Sequence, residues 1–139
     1  MPPHWCKQLP EYEVVAESDT RRVVVNTGLA KAQKKVEKKD QASVLHWMKI
    51  WVRDQKDAAI PEERFKFQTR WKGAGDNIRV SVFKSYQARY YGFTREIEGK
   101  ETFLVSAIDP AKKDNQADPA MYKRVGEEAL RVIKALGSK

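Results

Sequence analysis

Apolar positions along the chain switch between a period of two and a period near 3.6, and this switching predicts most of the elements. Tyr12 to Ala16 and Arg21 to Val25 are rich in β-branched residues and predict strands. Asn26-Thr27-Gly28 breaks that pattern and supplies helix-cap chemistry. Leu29, Ala32 and Val36, then Val44, Trp47, Met48, Trp51 and Val52, recur three and four apart with lysines on the opposite face. The spacing predicts a helical hairpin over 27–38 and 40–56, with Asp40 and Ser43 as candidate caps of its second helix. The Trp47 and Trp51 stripe shares a face with Val and Met, so it reads as core rather than as a base-stacking platform.

Pro61 and Glu62-Glu63 open a new region. Arg64 to Trp71, apolar at 65, 67 and 71, predicts a short strand or an extended loop, and Gly73 to Asn77 a turn. Ile78 to Phe83 predicts a strand with Ile78, Val80 and Val82 on one face. Lys84-Ser85-Tyr86 turns the chain, Gln87 to Arg95 returns it, and Glu98-Gly99-Lys100 turns it again. Thr102 to Ile108 is nearly all apolar and suits a buried central strand. Asp118-Pro119 starts a helix that Gly137 ends, with Met121, Val125, Ala129, Val132, Ile133 and Leu136 inward. N-terminal strand, helical hairpin, three-stranded antiparallel meander and C-terminal helix make an α+β domain over 21–139. Residues 1–20, with Pro2, Pro3 and Pro10, read as an N-terminal extension.

Composition narrows the chemistry more than the fold. At 139 residues the chain can bury one core. Its single cysteine, Cys6, permits no internal disulfide and fits a reducing compartment. Two distant histidines, His4 and His46, leave no zinc motif, and His46 beside the apolar helix face reads as structural. No P-loop, GxGxxG or HExxH occurs, and no cofactor is implied. The apolar runs are too short for a membrane helix and the start does not read as a signal peptide, so a cytoplasmic location is the default.

Charge changes the picture again. The formal net charge is +8, and it is clustered. Residues 29–56 hold eight cations against three carboxylates, and residues 76–95 hold Arg79, Lys84, Arg89 and Arg95 against Asp76. Residues 96–139 balance. Clusters of this kind neutralise phosphates and give salt-dependent binding to nucleic acid. What remains for chemistry is a metal-free site of Lys, Arg and Tyr. RNA cleavage through the 2′-hydroxyl needs a proton acceptor, charge stabilisation at the phosphate and a proton donor to the leaving oxygen. Arginine suits the phosphate, and crowding by other cations would turn a lysine into a base. Lys84, Arg95, Tyr86 and Tyr91 are candidate RNA contacts. The competing reading has solvated arginines, with Tyr90 and Tyr91 alternating between the core and the sheet surface.

From Lys72 onward the order of short motifs resembles the RelE/HigB-type toxin superfamily, including its phage-derived branch. The residues are Lys72-Gly73, Arg79 in the first strand, and Tyr86-Gln87-Ala88-Arg89-Tyr90-Tyr91 at the second. Phe103-Leu104-Val105 follows, then Lys112-Lys113 leading through Gln116 into Asp118-Pro119, and Glu127-Glu128-Ala129 in the helix. Upstream, Val23-Val24-Val25 and the Lys-rich hairpin fit the same order. The resemblance implies a RelE-like microbial RNase fold and metal-independent mRNA cleavage, usually on the ribosome, restrained by a cognate antitoxin. It implies that Arg79 and Arg89 hold the scissile phosphate, that Lys72 is a base or electrostatic group, and that Lys112 and Lys113 contact the RNA backbone. The alternatives are a non-catalytic member that binds nucleic acid or protein, a gyrase-type topoisomerase inhibitor, and a phage structural protein.

Overall fold

The computed structural model describes residues 4–53, 60–73, 76–111 and 118–137. The protein is α+β, with one mixed sheet between two helical layers. Its strands are β1 (Tyr12–Glu17), β2 (Arg21–Asn26), β3 (Phe65–Gly73), β4 (Asp76–Ser85), β5 (Ala88–Ile97) and β6 (Lys100–Asp109), ordered β1-β2-β6-β5-β4-β3. β3 to β6 run as an antiparallel meander, whereas β2 joins β6 in parallel. A parallel neighbour needs a crossover. It includes a 3-10 turn at Thr27–Leu29, α1 (Ala30–Lys35) and α2 (Lys38–Val52). The last element is α3 (Pro119–Ala135).

The meander has four strands rather than three, because Phe65 to Gly73 pairs along its length with β4. Residues 4–20 are also more than an extension. β1 pairs with β2, the Trp5 indole donates to the Tyr12 carbonyl at 2.8 Å, and Leu9 and Tyr12 are fully buried. The helical hairpin is present with shifted ends. Asp40 lies inside α2 rather than capping it, and its carboxylate accepts the Ser85 hydroxyl at 2.9 Å, tying α2 to the end of β4. Residues 54–56 lie outside the described set. α3 starts as its sequence predicts: Asp118 accepts from the Met121 amide at 3.2 Å and Pro119 follows.

Each face of the sheet has its own core. On the α3 side, Val24, Val80, Val82, Tyr91, Phe93 and Leu104 pack with Val125, Ala129 and Val132. On the α1–α2 side, Val23, Phe83, Tyr90, Phe103 and Val105 pack with Val44, Met48 and Trp51. Burial on both sides makes adjacent residues in one strand core residues of opposite layers. Tyr90 and Tyr91 are therefore both buried, on opposite faces, and neither is a surface residue. Among the described residues three bulges reset the alternation, at Val15 in β1, Gln68 in β3 and Ser106 in β6.

Candidate nucleic-acid interface

Strand register decides which cations share a face. Val82 pairs with Tyr91, and both belong to the α3-side core. Lys84 and Arg89 are paired two positions further out, so they lie on that same side. Arg89 in turn opposes Asp109 of β6, and Lys66 of β3 opposes Val82. Lys84, Arg89 and Asp109 thus form a row across three strands beside the β4–β5 turn, with Lys66 of β3 on the same face and diagonal to Lys84. Directly opposed side chains have Cβ atoms about 5 Å apart, and like charges there repel.

The surroundings sharpen the row. Burial pushes the Lys84 ammonium down from its ordinary pKa, and Arg89 and Lys66 push it further, against a smaller opposite pull from Glu63 and Glu62. Arg89 donates through one guanidinium nitrogen to the carbonyls of Tyr86 at 2.6 Å and Ala88 at 3.1 Å. This fixes the guanidinium against the turn. Tyr86 has φ of 53° and is 74% exposed, an aromatic ring held in solvent beside the cations. Left-handed backbone is rare for a residue with a side chain, and the Arg89 bond to the Tyr86 carbonyl helps to hold it. Asp109 accepts from the Ala111 amide at 3.1 Å, which anchors the end of β6 beside Arg89.

Arg79 and Lys72 are elsewhere. Arg79 alternates with Ile78 and Val80 and so faces the α2 side, where its guanidinium carbon lies 3.9 Å from the centre of the Phe67 ring. Lys72 opposes Asn77 on that side. The sheet separates Arg79 from Arg89, so the two cannot grip one phosphate as the resemblance implies. Arg95 is exposed on the α3 side but six residues along β5 from Arg89, about 20 Å away. It borders a 290 Å³ pocket with Cys6, Ile133 and Leu136. The ring of Tyr91 lies in the core, edge-on to Tyr122, and burial raises its hydroxyl pKa, so it offers no face to a base. Lys112 and Lys113 lie outside the described residues.

Two features escaped the sequence reading. Lys66 was part of a strand-or-loop segment of unassigned direction, and only its neighbours in space give it a role. The second is a polar cluster under α3. The Tyr12 hydroxyl donates to Glu128 at 2.6 Å, Asn26 donates to the same oxygen at 3.0 Å, and Arg131 donates to both carboxylate oxygens. Ser106 lies 3.2 Å from the Tyr12 hydroxyl, and Arg131 also bridges to Glu11. Residues so distant in sequence carry no local signal for this. Tyr12 has no exposed surface, so the cluster joins β1, β2 and β6 to α3 rather than meeting a ligand.

A groove of about 790 Å³ opens between β1–β2 and α1–α2, lined mainly by Val15, Val25, Leu29, Val44, Leu45 and Met48. None of the candidate RNA contacts lines it. Among the described residues, no group of three or more His, Cys, Asp or Glu side chains is placed to hold a metal ion, and no helix is long and apolar enough to cross a membrane. Comparison of the chain with protein-family models, curated proteins and solved structures finds no match.

Proposed function

We propose that this protein is a metal-independent endoribonuclease of the toxin type, cutting single-stranded mRNA at the α3-side row and held in check by a cognate antitoxin protein. The observation that carries the reading is the row itself: Lys84 and Arg89 side by side on β4 and β5, Lys66 diagonal to Lys84 on β3, and the exposed Tyr86 ring at its end. Lys84 takes the base role that Lys72 has in the resemblance. Its depressed pKa supports this, because only the neutral amine accepts a proton. The amine removes the 2′-hydroxyl proton, the 2′-oxygen attacks phosphorus, and the bond from phosphorus to the 5′-oxygen breaks. That oxygen leaves with a proton, the role open to protonated Lys66. Arg89 faces the developing phosphorane charge with a guanidinium already fixed in place. Tyr86 stacks on a flanking base.

The test is incubation of purified protein with a synthetic single-stranded RNA in EDTA, with end-group mapping. Products ending in 2′,3′-cyclic phosphate are expected. They should vanish in Lys84→Met and Arg89→Ala and persist in Arg79→Ala. In cells, induction should arrest growth, and the same two substitutions should relieve the arrest. A second reading, binding without cleavage, is favoured by cations on both faces of the sheet that, among the described residues, form no ion pair. Intact RNA together with salt-sensitive binding would select it.

A further inference from the structure

The α2 side of the sheet carries a second cationic surface that the cleavage chemistry does not use. Arg70 and Arg79 oppose each other directly on β3 and β4, and Lys72 is diagonal to Arg79. Phe67 lies on the same side and is 36% exposed, with the Arg79 guanidinium stacked over its ring. Among the described residues, none of these three cations pairs with a carboxylate. Like charges opposed across two strands destabilise the free protein, and an anion bound near both arginines lowers that cost. Stacking occupies the face of a guanidinium and leaves its N–H edge free for a phosphate. An exposed aromatic among cations is also the composition of a single-strand platform, where bases stack and the backbone meets charge.

From this we infer that Phe67, Arg70, Lys72 and Arg79 form a second RNA subsite, which binds single-stranded nucleotides beyond the cleavage row after the strand has passed over the β3 edge. Among the described residues β3 is an edge strand with no pairing on its outer side, and its neighbouring residues Lys66 and Phe67 are exposed on opposite faces, so one polymer crossing that edge can meet both. The inference rests on RNA being the substrate of the row, but it concerns affinity and not cleavage.

The experiment titrates a fluorescent twelve-residue oligouridylate against the full chain at several salt concentrations and measures single-turnover cleavage at saturating RNA. Phe67→Ala should weaken binding roughly tenfold, in the range that loss of one stacked base gives. Arg70→Ala with Arg79→Ala should weaken it and reduce the log–log salt slope by about 1.4, two single-strand phosphate contacts. Arg70→Lys with Arg79→Lys should keep the slope, which separates lost charge from misfolding. Saturated cleavage should be unchanged in all of these, whereas Lys84→Met should bind and not cut. Wild-type affinity and slope in the Phe67 and Arg70/Arg79 variants would overturn the inference. Loss of cleavage without loss of affinity in those variants would overturn it too. A wild-type protein that binds through this patch but never cuts would remove the cleavage reading and support the subsite.

Discussion

At the scale of single residues, Lys84 and Glu128 show how surroundings set what a side chain does. Lys84 is disfavoured as a cation by burial and by Arg89 and Lys66. Cleavage should therefore rise with pH as the amine is freed and level off below the ordinary lysine pKa of about 10.4. A pH–rate profile at saturating RNA checks this, and Lys84→Arg should erase the rising limb. The same physics says that Lys84→Met removes a charge the fold does not welcome. Its melting temperature should rise while its activity disappears, a trade seen where a site is kept strained for function. Glu128 is the reverse case. Burial alone would raise its pKa, but hydrogen bonds from Arg131 and Tyr12 outweigh it and hold the carboxylate below its ordinary value. A depressed carboxylate stabilises the fold above its unfolded pKa of about 4.3, and that contribution is lost as pH falls through the folded value. Glu128→Gln should cost roughly 2 kcal/mol at neutral pH, the scale of hydrogen bonds to a charged group, and much less near pH 3. Urea melts at the two pH values measure the difference.

At the scale of elements, the close seat of α3 on the sheet depends on a missing side chain. A Cβ on Gly126 would overlap the Trp71 indole that lies against this helix. Alanine is the better helix former by about 1 kcal/mol, so an isolated α3 peptide should gain helicity from Gly126→Ala. The folded protein should instead lose stability, because the indole must leave its place between β3 and α3. Opposite signs in peptide circular dichroism and protein melting are the expected pair. Elements of this kind were largely legible in the sequence. Asp118-Pro119 announced the start of α3, and the Ile78, Val80, Val82 alternation announced β4 and its α3-facing side. What the sequence could not carry was the relation between elements. Arg79 and Arg89 look alike as single arginines in neighbouring strands, yet the Lys84–Arg89 register and the odd–even alternation of β4 put them on opposite faces. Bulges at Gln68 and Ser106 shift that alternation by one residue each and have no composition signature. The second core is the other omission. Phe83 is as buried as Val82, and one-sided reading of an alternating strand assigns only one of them inward. Lys66 entered the candidate site only through this geometry.

At the scale of the whole molecule, the arrangement is a sheet that carries cations on both faces toward its β3 edge, while the centres of β5 and β6 are buried on both. The net charge of +8 raises encounter rates with any polyanion, but it does not say how many phosphates are held at once. Counterion release does. For single strands the log–log slope of affinity against salt is about −0.7 for each phosphate neutralised. An RNA held only by Lys66, Lys84 and Arg89 should give a slope near −2. One that also meets Arg70, Lys72 and Arg79 should give a slope near −4, and its affinity should fall a few hundredfold between 50 and 200 mM salt. Length separates the cases independently. A tetranucleotide has three internucleotide phosphates, so held at the row its slope should stay near −2 whatever happens on the other face, and it should be insensitive to Arg70→Ala with Arg79→Ala. A twelve-residue strand should show the steeper slope and lose it in that variant. Equal slopes for the short and long RNA would mean that one face does all the binding and that the cations on the other serve only solubility.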